Sequence, residues 1–511
     1  MKRVTVLIVA SLLLAPLNHM VLVPVSAVSV INVPGDYSTI QEALNIAGPG
    51  DMIRVEPGTY PETLSITRSV LIEGKNRQTT VLDAIGGGPA ISVRASGARI
   101  SNLTITNVGA GKDGVLIENS ANVTVSKIDI LLSHRSENGT QILNSQQVRV
   151  EGNRITGANL YGIVVDQGRE NVVARNELTD NLVGVGVFRG SRTIVVDNNF
   201  AGPGESGVDL WTNARDIVIA HNRISGFNST GIHLIDAPGN VIQENTIAGI
   251  EDPKLEAYAA AIRLQNSTGN AFFLNDLIDN PDLYAQGVFE QDRTGNVWNA
   301  YGGLGNYWGN YTGQDDGSVD SRTGAPRVAG DGVGDSRLPH VFDWYPLMQP
   351  WNSTPRSPVA TLRVLVLDQD GKSIGSSQVV STSQPTGQTS LRASSDGGRL
   401  NFYGILGGNY ALTVSAVGYE SASKMVLLAE RTLRVENFTL VVAPFSPISI
   451  IPYVAAASAV VAGIVGIYVF RRRSRPSRVG SNSVPVFSPD IAVSDTVEIL
   501  PLGVFSEILF S

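Results

Sequence analysis

Residues 162–188 read GIVVDQGRENVVARNELTDNLVGVGVF, and they hold one full period of a repeat. Gly162 opens a short alternating run, Gly184 opens the next, and Asn176-Glu177-Leu178 stands between them. Working outward, the same opening returns as GVLIE at Gly114, GTQIL at Gly139, GVDLW at Gly207, GIHLI at Gly231 and GVFEQ at Gly287, with Ala261 leading AIRLQ. The steps run from 22 residues (162 to 184) to 30 (231 to 261), the period of a solenoid. Each opening alternates as a strand with one buried face does. A second register agrees: Asn followed two places later by an apolar residue recurs at Asn153, Asn176, Asn198, Asn222, Asn245 and Asn275. Propeller blades need roughly 40 residues, and a leucine-rich repeat would show its Leu spacing. What remains is an all-β chain whose main body is a parallel β-helix, with coils stacked about 4.8 Å apart. Asn tolerates the left-handed conformation of a sharp turn, and its amide can hydrogen-bond from coil to coil at one corner.

A solenoid needs covers at its ends. DYSTIQEALNIAGPGD (residues 36–51) reads as an amphipathic helix over the first coil, with Ser38 and Gln41 as a capping box and Gly48 as its stop. The other end is GNYWGNYTGQDDGSVDSRTGAPRVAGDGVGDS, residues 305–336. Two readings stand for it. Its aromatics can close the last coil while Asp-Gly turns shape the cover. Alternatively, Asp315, Asp316, Asp320, Asp331 and Asp335 offer oxygen ligands to calcium, although their spacing is not that of an EF-hand. No other cofactor is implied.

The chain has 511 residues and a net charge of −8, which argues against nucleic-acid partners. It has no Cys, so disulfides and thiolate chemistry are excluded. Lys2 and Arg3, an apolar run and Val25-Ser26-Ala27 read as a signal peptide over residues 1–27. Residues 448–470 are uncharged and long enough to span a membrane, and Arg471, Arg472, Arg473 and Arg475 follow. Those arginines put the tail, 471–511, on the cytoplasmic side and everything before the span outside. Between the two lie a Pro/Ser linker at 351–358 and an alternating segment at 359–443 that suits a small β-sandwich.

INVPGDYSTIQEALNIAGPGDMIRVEPGTYPETLSI, which opens at Ile31, resembles the start of pectin-lyase-like right-handed β-helix proteins. The closing NYWGNYTG, GDGVGDS and FDWYPLM are similar to those of NosD-type β-helix proteins, many of them archaeal surface proteins. The resemblance implies a right-handed β-helix over 28–305 and a C-terminal cap over 306–350. It implies function poorly, because the fold hosts lyases, hydrolases, adhesins and maturation factors. NosD-type proteins are associated with copper delivery, and copper wants His, Met or Cys. His134, His221, His233 and His340 are scattered, and so are Met52, Met348 and Met425. The segment 359–443 resembles carboxypeptidase-regulatory or Cna-B modules, which implies a stalk that spaces the head from the membrane.

Outward positions of the repeat openings line up in two columns. One carries Asp209, His233 and Arg263 on consecutive rungs; the next carries Asp166, Phe188 and Trp211. An aromatic stripe beside polar groups suits a glycan or a surface-layer component. A polysaccharide lyase or hydrolase is the rival, with His233 or Arg263 as base beside Asp209. A third reading leaves the face as passive surface.

Overall fold

The computed structural model describes residues 28–251, 259–280, 295–319, 326–336, 343–353, 356–395 and 397–444. The expected signal peptide, membrane helix and tail lie outside the described residues, as do Asp320 and His340. Among the described residues no helix is long and apolar enough to cross a membrane.

Three parallel sheets run the length of a β-helix. The first extends from Val30–Val33 to Ala271–Phe273, the second from Leu64–Ile66 to Ala260–Gln265, and the third from Gly58–Pro61 to Tyr307–Trp308. Each coil adds one strand to each sheet in register. On the second sheet Ile163, Val185, Val208, Ile232 and Ile262 pair in succession and point inward, each at most 2 % exposed. β-Branched side chains suit such a stack because their stiff χ1 packs well on a pleated face. The recurring glycines have a steric cause. A Cβ on Gly207 would lie 2.4 Å from Ile224 Cγ2 and 2.7 Å from the carbonyl oxygen of Gly231 on the next coil.

The Asn register forms a buried ladder between the first and third sheets. Asn176 donates its backbone N–H and its amide to Asn198 Oδ1 at 2.9 Å each; Asn198 does the same to Asn222, Asn222 to Asn245, and Asn245 to Asn275. The left-handed turn is not taken by these asparagines. It falls on the residue before each: Arg175, Asp197, His221, Glu244 and Leu274 all have φ between 53° and 60°. The Asn itself stays in ordinary backbone, and its side chain supplies the corner's hydrogen bonds.

The ladder ends on a carboxylate. Asn275 donates to Asn306, and Asn306 donates to Asp343 Oδ2, which also accepts from Trp308 Nε1 at 2.9 Å. Asp343 is fully buried, and burial pushes its carboxyl up to about 6. Trp298 and Trp308 pack into the solenoid core, so aromatics do close the last coil. At the other end the helix is Ile40–Ile46, and its buried face of Ile40, Ala43 and Leu44 covers the first coil. Its capping box is Thr39 with Glu42, one residue later than Ser38 with Gln41; Ser38 instead donates to Glu42 Oε2 at 2.7 Å. At Thr39 the backbone is extended, and its side chain there accepts from the free N–H of the third helical residue, Glu42.

The C-terminal segment is a β-sandwich of a three-stranded and a four-stranded sheet. It does not stand off as a stalk. Its strand Val359–Leu367 lies against the outer side of the first sheet, where buried Gln243 donates to the Val359 carbonyl at 3.1 Å. Arg431 of the sandwich reaches Asp197 at 3.1 Å and Glu244 at 3.5 Å, and Arg363 pairs with Asp216. The first sheet is built for this contact. Its early strands show polar-apolar-polar triplets such as Arg99-Ile100-Ser101, whereas Val218-Ile219-Ala220 and Ala271-Phe272-Phe273 are apolar on both faces. Val218, Val241, Ala271 and Phe273 are buried there with Val359 and Trp351.

Candidate functional site

The site lies on the outward face of the second sheet, where the strands lengthen to six residues: Tyr161–Asp166, Val183–Phe188, Ser206–Trp211, Thr230–Ile235 and Ala260–Gln265. Their register places Gly186, Asp209, His233 and Arg263 in one column and Asp166, Phe188, Trp211, Ile235 and Gln265 in the next. Both columns agree with the sequence reading.

Rings form a continuous string across these rungs. Tyr161 meets Phe188 edge-on at 5.5 Å between centroids, Phe188 meets Trp211 at 5.9 Å, and Trp211 meets His233 edge-on at 6.1 Å. Tyr161 was not among the residues singled out from sequence. Strict alternation from Gly162 would turn it away from the face. Gly162 itself faces the core, where a Cβ would meet Leu178, and Tyr161 swings outward over Gly186. The signal was the missing side chain at Gly186, which leaves a gap in the outward column wide enough for a ring.

Asp209 is 4 % exposed although it sits on the outer face. Burial, with the negative charge of Glu205 opposing a hydrogen bond from Ser206, raises its carboxyl to about 7. His233 is driven down to about 4, first by burial and then by the Arg263 guanidinium. Burial and the charges of Asp209 and Glu205 push Tyr161 up to about 12. Asp209 Oδ1, Trp211 Nε1 and His233 Nε2 are buried without a hydrogen-bond partner. Each such group costs on the order of 1–3 kcal/mol, so three in adjoining side chains mark a place where an added partner is worth most.

The other expected residues behave differently. Asp166 is gripped by Arg189, whose Nε and Nη2 lie 3.0 and 2.7 Å from Oδ1, so its carboxylate is already satisfied. In the C-terminal loop Asp315 accepts from the N–H groups of Gly330 and Gly332 at 2.6 and 2.8 Å. Asp335 Oδ2 accepts from Asp316 and Gly317 at 2.7 Å each, Asp331 from Val333, and Asp316 from Ser318. These carboxylates spend oxygens on folding the loop, while Asp335 Oδ1 is buried without a partner. Among the described residues the copper donors do not converge. His134 pairs with Asp180 at 3.0 Å, His221 with Asp197 at 2.7 Å on another corner, and His233 packs on Trp211. Among the described residues no three His, Cys, Asp or Glu side chains are grouped to hold a metal ion.

Residues 88–313 match the family model described as periplasmic copper-binding protein (NosD), and residues 361–441 match the carboxypeptidase regulatory-like domain. No curated protein matches the chain. Solved structures similar to it include the A-module of a mannuronan C-5 epimerase from Azotobacter vinelandii, at 16% identity and TM-score 0.41, over 48% of this chain and 73% of that one. A DFA-IIIase from Arthrobacter chlorophenolicus aligns at 15% identity and TM-score 0.38, over 50% and 81%. A surface protein and adhesin of Streptococcus pneumoniae aligns at 15% identity and TM-score 0.38, over 49% and 82%.

Proposed function

We propose that the chain is a cell-surface β-helix protein that binds a glycan along the face carrying Tyr161, Phe188, Trp211 and His233. The observation that carries this reading is the ring string with unpartnered Asp209 Oδ1, Trp211 Nε1 and His233 Nε2 beside it. Rings offer apolar area at little entropic cost, and hydroxyl groups of a sugar can supply the missing hydrogen bonds. The three polar atoms are screened from water, so neighbouring side chains move as the sugar engages them. The signal peptide, the span at 448–470 and a surface-layer partner belong to the same proposal. Calcium at the cap is a proposal of its own, and the contacts of the loop do not require it. A copper role lacks a donor set among the described residues.

Catalysis is the second reading, and it rests on Asp209. A carboxyl that titrates near 7 is protonated enough to act as an acid, and the charge of Glu205 is felt at it. Glycoside hydrolysis uses such a pair of carboxyl groups. Elimination is less favoured, because a His233 that titrates near 4 is a weak base. Incubation with uronate-containing and neutral polysaccharides separates the readings. Binding with no new chain ends supports the glycan-display reading. New reducing ends lost in Asp209→Asn support hydrolysis, and new unsaturated ends lost in His233→Ala support elimination. No binding and no product refutes the proposal.

A further inference from the structure

Between the corner loops of the solenoid and the three-stranded sheet of the sandwich lies a cleft of about 590 Å³, a size that suits a small ligand at a domain junction. Arg192, Arg215, Arg363 and Arg399 all line it, against Asp216 as the acidic lining residue, in a chain whose net charge is −8. Asp216 is already engaged. It pairs with Arg363, which is 4 % exposed and also donates to Asn401 Oδ1 at 2.9 Å. Arg192 is paired with Glu170 at 3.2 Å. Arg215 and Arg399 have no side-chain partner among the described residues. Arg399 is exposed at the start of its strand; partial desolvation and the neighbouring Arg363 charge lower its pKa, while Tyr403 and Asp216 act the other way. Four guanidinium groups thus line the cleft against the single carboxylate of Asp216, which is paired with Arg363 and whose charge is also felt at Arg399, so positive charge is in excess there. A guanidinium fork matches a planar or tetrahedral oxyanion with two parallel hydrogen bonds.

We propose that this cleft binds a small ligand bearing an oxyanion, a carboxylate, sulfate or phosphate, between Arg215 of the β-helix and Arg399 of the sandwich. The ligand touches both domains, so occupancy ties them together. The site is separate from the ring string and stands independently of the glycan proposal.

Thermal melting of the full chain tests it, with sodium sulfate, sodium phosphate and galacturonate each compared with sodium chloride at equal ionic strength. A ligand that binds only the folded state raises the melting temperature saturably. At least one of the three should do so beyond chloride, and the one that does identifies the chemistry of the anion. Arg399→Gln and Arg215→Gln should each weaken the apparent affinity at least tenfold. Arg215 is on an exposed loop, so Arg215→Gln should melt as the parent does in chloride and carries the test if Arg399→Gln does not. No rise beyond chloride, or a wild-type response in Arg215→Gln, overturns the proposal.

Discussion

Asp209 and His233 sit on neighbouring rungs and titrate in opposite directions from their ordinary values. Between about pH 4 and 7 the folded chain keeps a proton on Asp209 that the unfolded chain has released, so this group makes stability fall as pH rises. Between about pH 4 and 6.5 the folded chain leaves His233 neutral while the unfolded chain protonates it, so this group makes stability rise with pH. The two nearly cancel. Removing one should unmask the other. In Asp209→Asn, stability should climb between about pH 4 and 6.5 more steeply than in the parent, by up to about 1.4 kcal/mol per pH unit. Denaturant unfolding at several pH values in that window measures it, and equal slopes would contradict the assignment. The column that holds these two residues was legible because the repeated Gly fixes the register. Their burial was not, because alternation alone marks both as outward. Tyr161 was hidden for a related reason: the inward Gly162 breaks the alternation just where the strand begins.

At the scale of elements, the Asn ladder ties coil to coil at the corner between the first and third sheets, beside the backbone bonds of the neighbouring residues such as Asp197 N–H to the Ala220 carbonyl. Asn198 is 2 % exposed; its Oδ1 accepts two bonds from Asn176, and its amide donates to Asn222 Oδ1 and to the carbonyl oxygen of Val173. Asn198→Ala leaves the Asn176 N–H buried without a partner. Stability should drop by roughly 3 kcal/mol in urea unfolding, as two or more buried groups lose their bonds. Exposed Asn199→Ala, one position on, should cost less than about 0.5 kcal/mol. Equal effects would mean that the ladder is not what holds the corner. The repeat of Asn announced the ladder in the sequence, but the left-handed turn moved to its neighbour, where residues as unlike as Arg175 and Leu274 serve. With no common residue type there, no pattern could reveal it. The docking strip for the sandwich was legible in principle. Alternation fails at Val218-Ile219-Ala220 and Ala271-Phe272-Phe273, and a strand that is apolar on both faces must be covered on both.

At the scale of the whole molecule, a capped solenoid carries its sandwich on one side and a ring-lined face on another sheet. Residues 88–313 match the NosD family model, yet among the described residues His134, His221 and His233 are spent on Asp180, Asp197 and Trp211. The central claim is the proposal that a glycan lies along the ring-lined face of the second sheet. Calorimetric titration of the purified protein with the oligosaccharide it binds best, against Trp211→Ala, tests that claim most directly. Truncating a Trp at the centre of a contact typically costs about 2 kcal/mol or more, roughly thirtyfold in affinity. The account predicts saturable binding by the parent and a loss of at least that size in Trp211→Ala, with the fold intact by circular dichroism. Equal affinity in parent and variant would contradict it.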